Sequence, residues 1–282
     1  MRFSNLHTHT TFSDGKNTPR ECINAARALG MRSLGISDHS YTPFDVRYCM
    51  RPATHFEKYE ETIREEIRVA RQTDGFPVYL GVEYDFGSEN FFENYDYRIG
   101  SVHYILREDR MYPVDSGLKF QLDCIEKEFH GNKLDYVKAY FEEVYEHARR
   151  NHPDIVGHFD LLTKHGLFDE DDPAYRAVAT EALRATVREV PIFEINAGAI
   201  IRGLKKLPYP APFLLRELRE AGGRVILSSD AHAADKLIFA FPQMLSLLYS
   251  CGFTAVSVFD GKAFAEEEIP PEYRQGNFEE MA

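Results

Sequence analysis

Seven short β-like runs alternating with amphipathic stretches leave this chain few folds to adopt. The runs are Arg2–Leu6, Ser33–Ser37, Val78–Val82, Tyr97–Val102, Ile155–Gly157, Ile192–Ile195 and Arg224–Leu227. Between them the apolar periodicity predicts helices over Thr54–Gln72, Tyr136–Arg150 and Asp172–Val190. Two more carry their own end signals: Pro19–Leu29, with Thr18 as N-cap and Pro19 in the first turn, and Ala211–Ala221, stopped by Gly222 and Gly223. Strands that alternate with helices in this way predict a parallel α/β fold. At 282 residues the chain suits one closed α/β barrel, and no repeat or Pro/Gly-rich linker divides it, so residues 1–282 are expected to form one domain. The segment Arg107–Asn132 lacks clear periodicity and reads as a long loop with some helix, the kind of insertion that covers an active site.

A candidate ligand follows each run. His7 and His9 end the first, with Asp14 shortly beyond; Asp38 and His39 follow the second, Glu83 the third, His103 the fourth and His158 the fifth. Glu194 and Asn196 end the sixth, and Asp230 and His232 follow the seventh. In a closed parallel barrel these ends converge on one face, where such folds keep their catalytic groups. Residues i and i+2 of an extended segment point to the same side, so His7 and His9 can bind one ion together, while Asp230 and His232 can share an ion or serve different ones. Imidazole nitrogen with carboxylate oxygen suits zinc, manganese or iron. Asp38 is expected to hydrogen-bond a neighbouring ligand histidine rather than to bind metal. His55, His130, His147, His152 and His165 have no carboxylate companion at a strand end and read as ordinary core or surface residues. The pattern is that of a metal-dependent hydrolase.

Composition narrows the partners. A formal charge of −12 disfavours a nucleic-acid groove, which needs a surplus of Lys and Arg. Cys22, Cys49, Cys124 and Cys251 form no CxxC pair, so neither a thiolate zinc site nor a disulfide framework is expected. No apolar run approaches the roughly 20 residues that cross a bilayer, and Met1–Asn5 leads into histidines rather than into the apolar segment of a secretory signal. A cytoplasmic protein without membrane contact is therefore expected.

Taken in order, His7-Thr8-His9 with Ser13-Asp14-Gly15, Ser37-Asp38-His39, Gly81-Val82-Glu83, Gly100-Ser101-Val102-His103, Gly157-His158-Phe159-Asp160 and Ser229-Asp230-Ala231-His232 resemble the motifs of the polymerase and histidinol phosphatase (PHP) superfamily. The resemblance spans nearly the whole chain and implies that superfamily's fold, a distorted seven-stranded (β/α)7 TIM-like barrel. Three details are similar to its histidinol-phosphatase branch: Gly100–Ile105, Tyr112-Pro113-Val114-Asp115, and Glu194-Ile195-Asn196 with Arg202-Gly203. Ala197 departs from the Thr or Ser that the branch places after the Asn.

The resemblance implies three divalent transition-metal ions (zinc, manganese or iron). His7, His9, Glu83 and Asp230 would hold the first; Glu83, His103 and His158 the second, with Glu83 bridging; and Asp14, His39 and His232 the third. It implies hydrolysis of L-histidinol phosphate to L-histidinol and phosphate in histidine biosynthesis. Three such ions would bring the formal charge to roughly −6 and concentrate positive charge in one cleft, which suits a small anionic substrate. Asp160 is one candidate for protonating the leaving alkoxide. Arg202, carried over the barrel mouth by Ala197–Ile201, can offer two parallel donors to a phosphate, while Lys205 and Lys206 are expected to stay in solvent. Alternatives are a phosphoesterase acting on nucleotides or oligonucleotides with the same ligands, an amidohydrolase, or a non-catalytic domain. Amidohydrolases usually bridge two metals with a modified lysine where this chain has Glu83, and a non-catalytic domain would have lost ligands that are all present here.

Overall fold

The structure is a computed structural model that describes residues 1–50, 55–88, 92, 94–108 and 110–274. In chain order its elements are β1 (Ser4–Asn5), α1 (Pro19–Ala28), β2 (Ser33–Ile36), α2 (His55–Thr73), β3 (Val78–Asp85), β4 (Tyr97–Ser101), β5 (Tyr104–Arg107), β6 (Arg110–Pro113), α3 (Leu118–Phe129), α4 (Lys133–Asn151) and β7 (Ile155–Val156). There follow α5 (Pro173–Glu189), β8 (Ile192–Asn196), α6 (Gly198–Ile201), α7 (Pro212–Glu220), β9 (Arg224–Ser228), α8 (Phe241–Ser250), β10 (Ala255–Phe259) and β11 (Phe264–Glu268). All seven expected strands are present and form one parallel sheet in the order β1-β2-β3-β4-β7-β8-β9.

The sheet curls into a barrel whose first and last strands meet just beyond their ends. Thr8 pairs in parallel with Ala231, His9 N–H donates to Ala231 C=O at 2.9 Å, and Ala231 N–H donates to His7 C=O at 3.1 Å. The seam is thus made by the segments that carry candidate ligands. Inside, Leu6, Tyr97, Ile99, Ile155, Ile192, Ile226 and Phe259 form the barrel core. Tyr97 crosses the interior and donates its hydroxyl to Leu6 C=O. Its ring lies so close to β2 and β3 that a Cβ at Gly35 or Gly81 would collide with it, which explains glycine at two buried strand positions. The β10–β11 hairpin covers one end: Phe259 packs on Tyr79 and Tyr97 with centroids 5.0 and 6.0 Å apart. The opposite end, at the strands' C-termini, is left for a site.

Helix α1 starts as its sequence requires. Thr18 accepts from Glu21 N–H, and Glu21 accepts from Thr18 N–H, a reciprocal cap with Pro19 in the first turn. Among the described residues, no helix is long and apolar enough to cross a membrane.

Two expectations need correction. Arg107–Asn132 is not a long loop: it holds β6, which completes an antiparallel hairpin with β5, and the twelve-residue helix α3. Helix α3 buries Gln121, Cys124 and Ile125 but exposes Leu118, Phe120 and Leu122, so its apolar residues fall on both faces and the helical period is masked. Strand β3 runs on to Asp85 rather than stopping at Val82.

Candidate metal centre

Glu83 is the hub of the site. It lies 1% exposed near the end of β3, and its backbone N–H is held by the carbonyls of Ser37 and Asp38 at 3.2 and 3.3 Å. Its Oε2 stands 2.8 Å from His39 Nδ1, 3.1 Å from His7 Nε2 and 3.4 Å from His9 Nε2. Its Oε1 stands 2.9 Å from His158 Nε2 and 3.5 Å from His103 Nε2, and accepts from Ser101 Oγ at 2.6 Å. Five of the six candidate histidines therefore surround one carboxylate. The sixth, His232, joins through Asp14 at 3.2 Å and Asp230 at 3.4 Å, and Asp230 Oδ1 also lies 3.3 Å from His9 Nε2. Asp230 is aimed inward by a left-handed backbone (φ 50°) just after β9, a conformation that Asp tolerates better than most residues.

The donor set fits divalent cations. Among the described residues, His9-Asp14-His39-His232, His7-His9-Asp230 and His39-Glu83-His103 each offer ligand atoms within 4.8 Å of one another. His7 Nε2, both ring nitrogens of His9 and Glu83 Oε2 are buried without a hydrogen-bond partner. Buried polar atoms left unpaired are costly and here converge, as they do where an ion is held. The first of these groups contains the expected Asp14, His39 and His232 and adds His9; the third has His39 where His158 was expected. Electrostatics keep the acids ionised. Burial raises the Glu83 carboxyl, but His7, His39 and His103 together hold it well below its usual value. Burial likewise opposes ionisation of Asp230, and Arg202 and His7 outweigh it. Burial and the neighbouring His232 and His39 push His9 down to about 3, so it stays neutral and able to ligate.

Further carboxylates hold these ligands from behind. Glu194 Oε2 accepts from His7 Nδ1 at 2.8 Å, and its Oε1 accepts from His158 N–H at 2.6 Å and Asn196 Nδ2 at 2.7 Å. Asp85 Oδ2 accepts from His103 Nδ1 at 2.7 Å and His103 N–H at 3.1 Å. A carboxylate on Nδ1 leaves Nε2 as the free donor atom for a metal. The sequence reading missed Asp85, yet it lies two residues from Glu83 on the same strand face, a signal available once β3 is extended. Asp38 is corrected: its carboxylate binds Thr10 N–H and Oγ1 and Ser13 N–H and Oγ at 2.6–3.1 Å, so it braces the loop that carries Asp14, not a ligand histidine.

Above the cluster opens a cleft of about 360 Å³ lined by Arg202, Lys164, Asp115, Asp45, Arg47, Tyr48 and Tyr104 together with the clustered side chains other than His7 and His9. Arg202 follows α6, with Nη1 3.4 Å from Asp230 Oδ2 and its side chain about a third exposed (34%). Lys164 Nζ donates to Asp115 Oδ2 at 2.9 Å; burial opposes ionisation of Asp115, but Lys164 and His103 hold its carboxyl down at about 2. Tyr48, Tyr104 and Asp45 left no signal in the sequence beyond lying in loops near strand ends. Asp160 is not among the cleft-lining residues: it is fully buried, accepts from Ala211 N–H at 3.0 Å, and burial raises its carboxyl to about 7. Lys205 is corrected too. Rather than staying in solvent it pairs with Glu170, donates to Thr163 Oγ1 at 2.8 Å and lies 5.2 Å from the Tyr209 ring centroid. Of the remaining histidines, His147 is a satisfied core residue, bonded to Tyr84 C=O and Asn151, and the His55 side chain lies outside the described residues.

A seven-stranded barrel with a histidine–carboxylate cluster at the strand ends defines a barrel metallohydrolase, and the family follows: the PHP domain family model matches residues 5–198, and the chain belongs to that family. A probable histidinol-phosphatase of Schizosaccharomyces pombe is 25% identical over 265 residues, covering 85% of this chain and 83% of its own. An uncharacterised protein of Methanocaldococcus jannaschii is 35% identical over 88 residues, 29% of this chain and 33% of its own. Among solved structures, histidinol phosphate phosphatase of Lactococcus lactis, in complex with zinc, L-histidinol and phosphate, superimposes with a TM-score of 0.70 at 20% identity, covering 94% of this chain and 99% of its own. The fold is shared.

Proposed function

We propose that this protein is a metal-dependent phosphomonoesterase that hydrolyses L-histidinol phosphate to L-histidinol and phosphate. The observation that carries the reading is the polarity of a single cleft. Its floor is the imidazole–carboxylate cluster around Glu83, and around it stand Arg202 and two ion-paired acids, Asp45 with Arg47 and Asp115 with Lys164. A substrate with a phosphate at one end and an ammonium at the other matches that layout. The activity for which the S. pombe and L. lactis relatives are named supports the same substrate.

Three divalent ions of the zinc, manganese or iron kind fit the donor set: one on His7, His9, Glu83 and Asp230, one on Glu83, His103 and His158, and one on Asp14, His39 and His232. When bound, such ions supply a water acidic enough to act as nucleophile near neutral pH and positive charge for the phosphoryl oxygens. Set against the charges of Asp14, Glu83 and Asp230, they leave roughly +3 at the cleft floor, which attracts a phosphate dianion. The chain's own groups do the rest. Glu83 is a carboxylate that two ions can share. Glu194 and Asp85 fix the tautomers of His7 and His103. Arg202 offers its forked donors to the phosphate from the rim. Asp115 can exchange Lys164 for the substrate's ammonium, while Tyr48 and Tyr104 give its imidazole a flat wall. Asp160, committed to Ala211 N–H, supports the rim rather than protonating the leaving alkoxide.

The test is a screen of the purified protein against histidinol phosphate, other small phosphomonoesters, nucleotides and a phosphodiester, before and after chelation. Histidinol phosphate should be preferred by a wide margin and chelation should abolish its hydrolysis. Preference for a nucleotide or diester would move the reading to nucleotide-directed phosphoesterases, and hydrolysis that survives complete metal removal would refute it.

A further inference from the structure

Arg202 makes contacts that a phosphate clamp does not need. Its Nη1 lies 3.4 Å from Asp230 Oδ2, and its Nη2 lies 3.1 and 3.2 Å from the two ring nitrogens of His232. Both partners belong to groups able to hold a cation: His232 with His9, Asp14 and His39, and Asp230 with His7 and His9. The approach is built into the backbone. Arg202 closes α6 with its N–H on Gly198 C=O at 3.2 Å. A Cβ at Gly198 would collide with the Asp230 carboxylate and stand 2.8 Å from Arg202 Nη1, so a residue without a Cβ gives the guanidinium its path.

A guanidinium is only a donor: at Asp230 it takes a lone pair that a metal would use, and at His232, whose Nδ1 faces Asp230 C=O at 3.0 Å, it lies almost equidistant from both ring nitrogens and so sets its charge against the ring. A metal would compete with the guanidinium for the Asp230 oxygen, and beside His232 the two positive charges repel. The repulsion at His232 falls on the outer part of the cluster: the side chains of Asp14 and His232 are 34% and 20% exposed, whereas Glu83, His7 and His9 are at 1% or less.

Resting on the metallophosphatase reading, we propose that Arg202 weakens the outer cation site formed by Asp14, His39 and His232, and that a phosphate anion relieves the competition by taking up the guanidinium's donors. Anion and outer cation then bind cooperatively. By linkage the coupling is reciprocal: phosphate tightens the cation by the factor by which the cation tightens phosphate.

The experiment is a titration of the protein with Mn²⁺ or Zn²⁺ against a competing chelator, with and without inorganic phosphate. In the wild type the weakest class of bound ion should tighten at least ~10-fold, about 1.4 kcal/mol, at saturating phosphate. Arg202→Ala should bind that ion at least ~10-fold tighter than wild type without phosphate, and phosphate should then add correspondingly less. Arg202→Gln, which keeps bulk without charge, should do the same and keeps the test decisive if the alanine variant misfolds. Lys206→Ala, an exposed charge outside the cleft, should match wild type, which separates the local effect from net charge. Unchanged or weaker ion binding in both Arg202 variants overturns the proposal, because Arg202 then merely orients Asp230 and His232. If those variants and the wild type take up metal equally and the wild type hydrolyses phosphomonoesters, the Arg202 proposal alone falls. A wild type that takes up no transition metal overturns the metallophosphatase reading with it.

Discussion

Glu194→Gln should damage the metal centre although glutamine fills the same volume. The carboxylate accepts three hydrogen bonds: Oε2 from His7 Nδ1 at 2.8 Å, and Oε1 from His158 N–H at 2.6 Å and Asn196 Nδ2 at 2.7 Å. Asn196 cannot turn over to help, because its Oδ1 already accepts from Gly198 N–H at 2.7 Å. Glutamine has one acceptor oxygen and one donor NH2. If the oxygen stays on His158, the NH2 meets His7 Nδ1, and the contact is favourable only if the His7 proton moves to Nε2. That nitrogen then presents N–H rather than a lone pair to the cluster, and His7 stops being a ligand. The other rotamer sets the NH2 against two donors at a site 1% exposed. The first arrangement gives up one charge-assisted bond, about 1.5–3 kcal/mol, and the second gives up two. The loss should appear as a fall of roughly 10- to 100-fold in metal affinity, about 1.4–2.7 kcal/mol, measured by chelator competition. Imidazole ¹⁵N shifts should show the His7 proton moved to Nε2. Wild-type metal affinity with His7 still protonated at Nδ1 would refute the reasoning.

Other outcomes follow from the same geometry. Glu83→Gln should lower metal content and reduce kcat/KM by ~100-fold or more, since it removes the charge that five histidines surround; elemental analysis at wild-type stoichiometry would count against its bridging place. Arg202→Lys should cut kcat/KM at least ~10-fold, about 1.4 kcal/mol, without lowering metal content, because lysine lacks the fork; near-wild-type kinetics for it and for Arg202→Ala would remove Arg202 from phosphate binding. Gly198→Ala, whose Cβ would press on Asp230 and Arg202, should reduce kcat/KM at least ~10-fold while circular dichroism stays native, and unchanged kinetics would mean the rim simply moves aside. Glu143 gives a pH signature: burial raises its carboxyl to about 8, against the bonds from Leu106 N–H and Arg107. Its folded pKa lies above its unfolded one, so the native state holds the extra proton; the contribution of Glu143 to stability is full below about pH 4 and is lost as pH rises to about 8. Glu143→Gln, which can still accept from Leu106 N–H, should remove a loss on the order of 3 kcal/mol between pH 5 and 8 in denaturant titrations, and parallel pH curves for the two proteins would contradict it.

The clustered side chains were legible because barrel geometry turns sequence position into spatial position. A residue at or just past the C-terminal end of a parallel strand faces one end of the barrel, so His7, His9, Glu83, His103, His158 and Asp230 could be gathered from the chain without any pairing information. The seven strands of the barrel were equally legible, since each is a short β-like run and most are set off by helical segments. Hairpin β5–β6 was not, and the helix expected within Arg107–Asn132 could not be bounded, because α3 divides its apolar residues between a buried face and an exposed one.

What stayed hidden were the contacts that decide how the ligands behave. Glu194 and Asp85 look alike in sequence to any acid near a strand end, and only their distances to Nδ1 of His7 and His103 reveal that they select a tautomer. Asp38 sits beside a ligand histidine in the chain yet spends both oxygens on Thr10 and Ser13, because the strand's end turns its side chain toward the loop before α1. Lys205 and Arg202 reverse the simple rule for cations in a rim loop. The lysine folds inward onto Glu170, Thr163 and Tyr209, while the arginine three residues earlier reaches back over Gly198 to the ligands. Composition gives both the same charge; the left-handed turn at Gly203, with φ 68°, separates them and sends the two side chains to different sides of the rim. A spacing rule can therefore find atoms able to bind a metal, but which of them are free to do so depends on partners that only the folded chain brings within 3 Å or so.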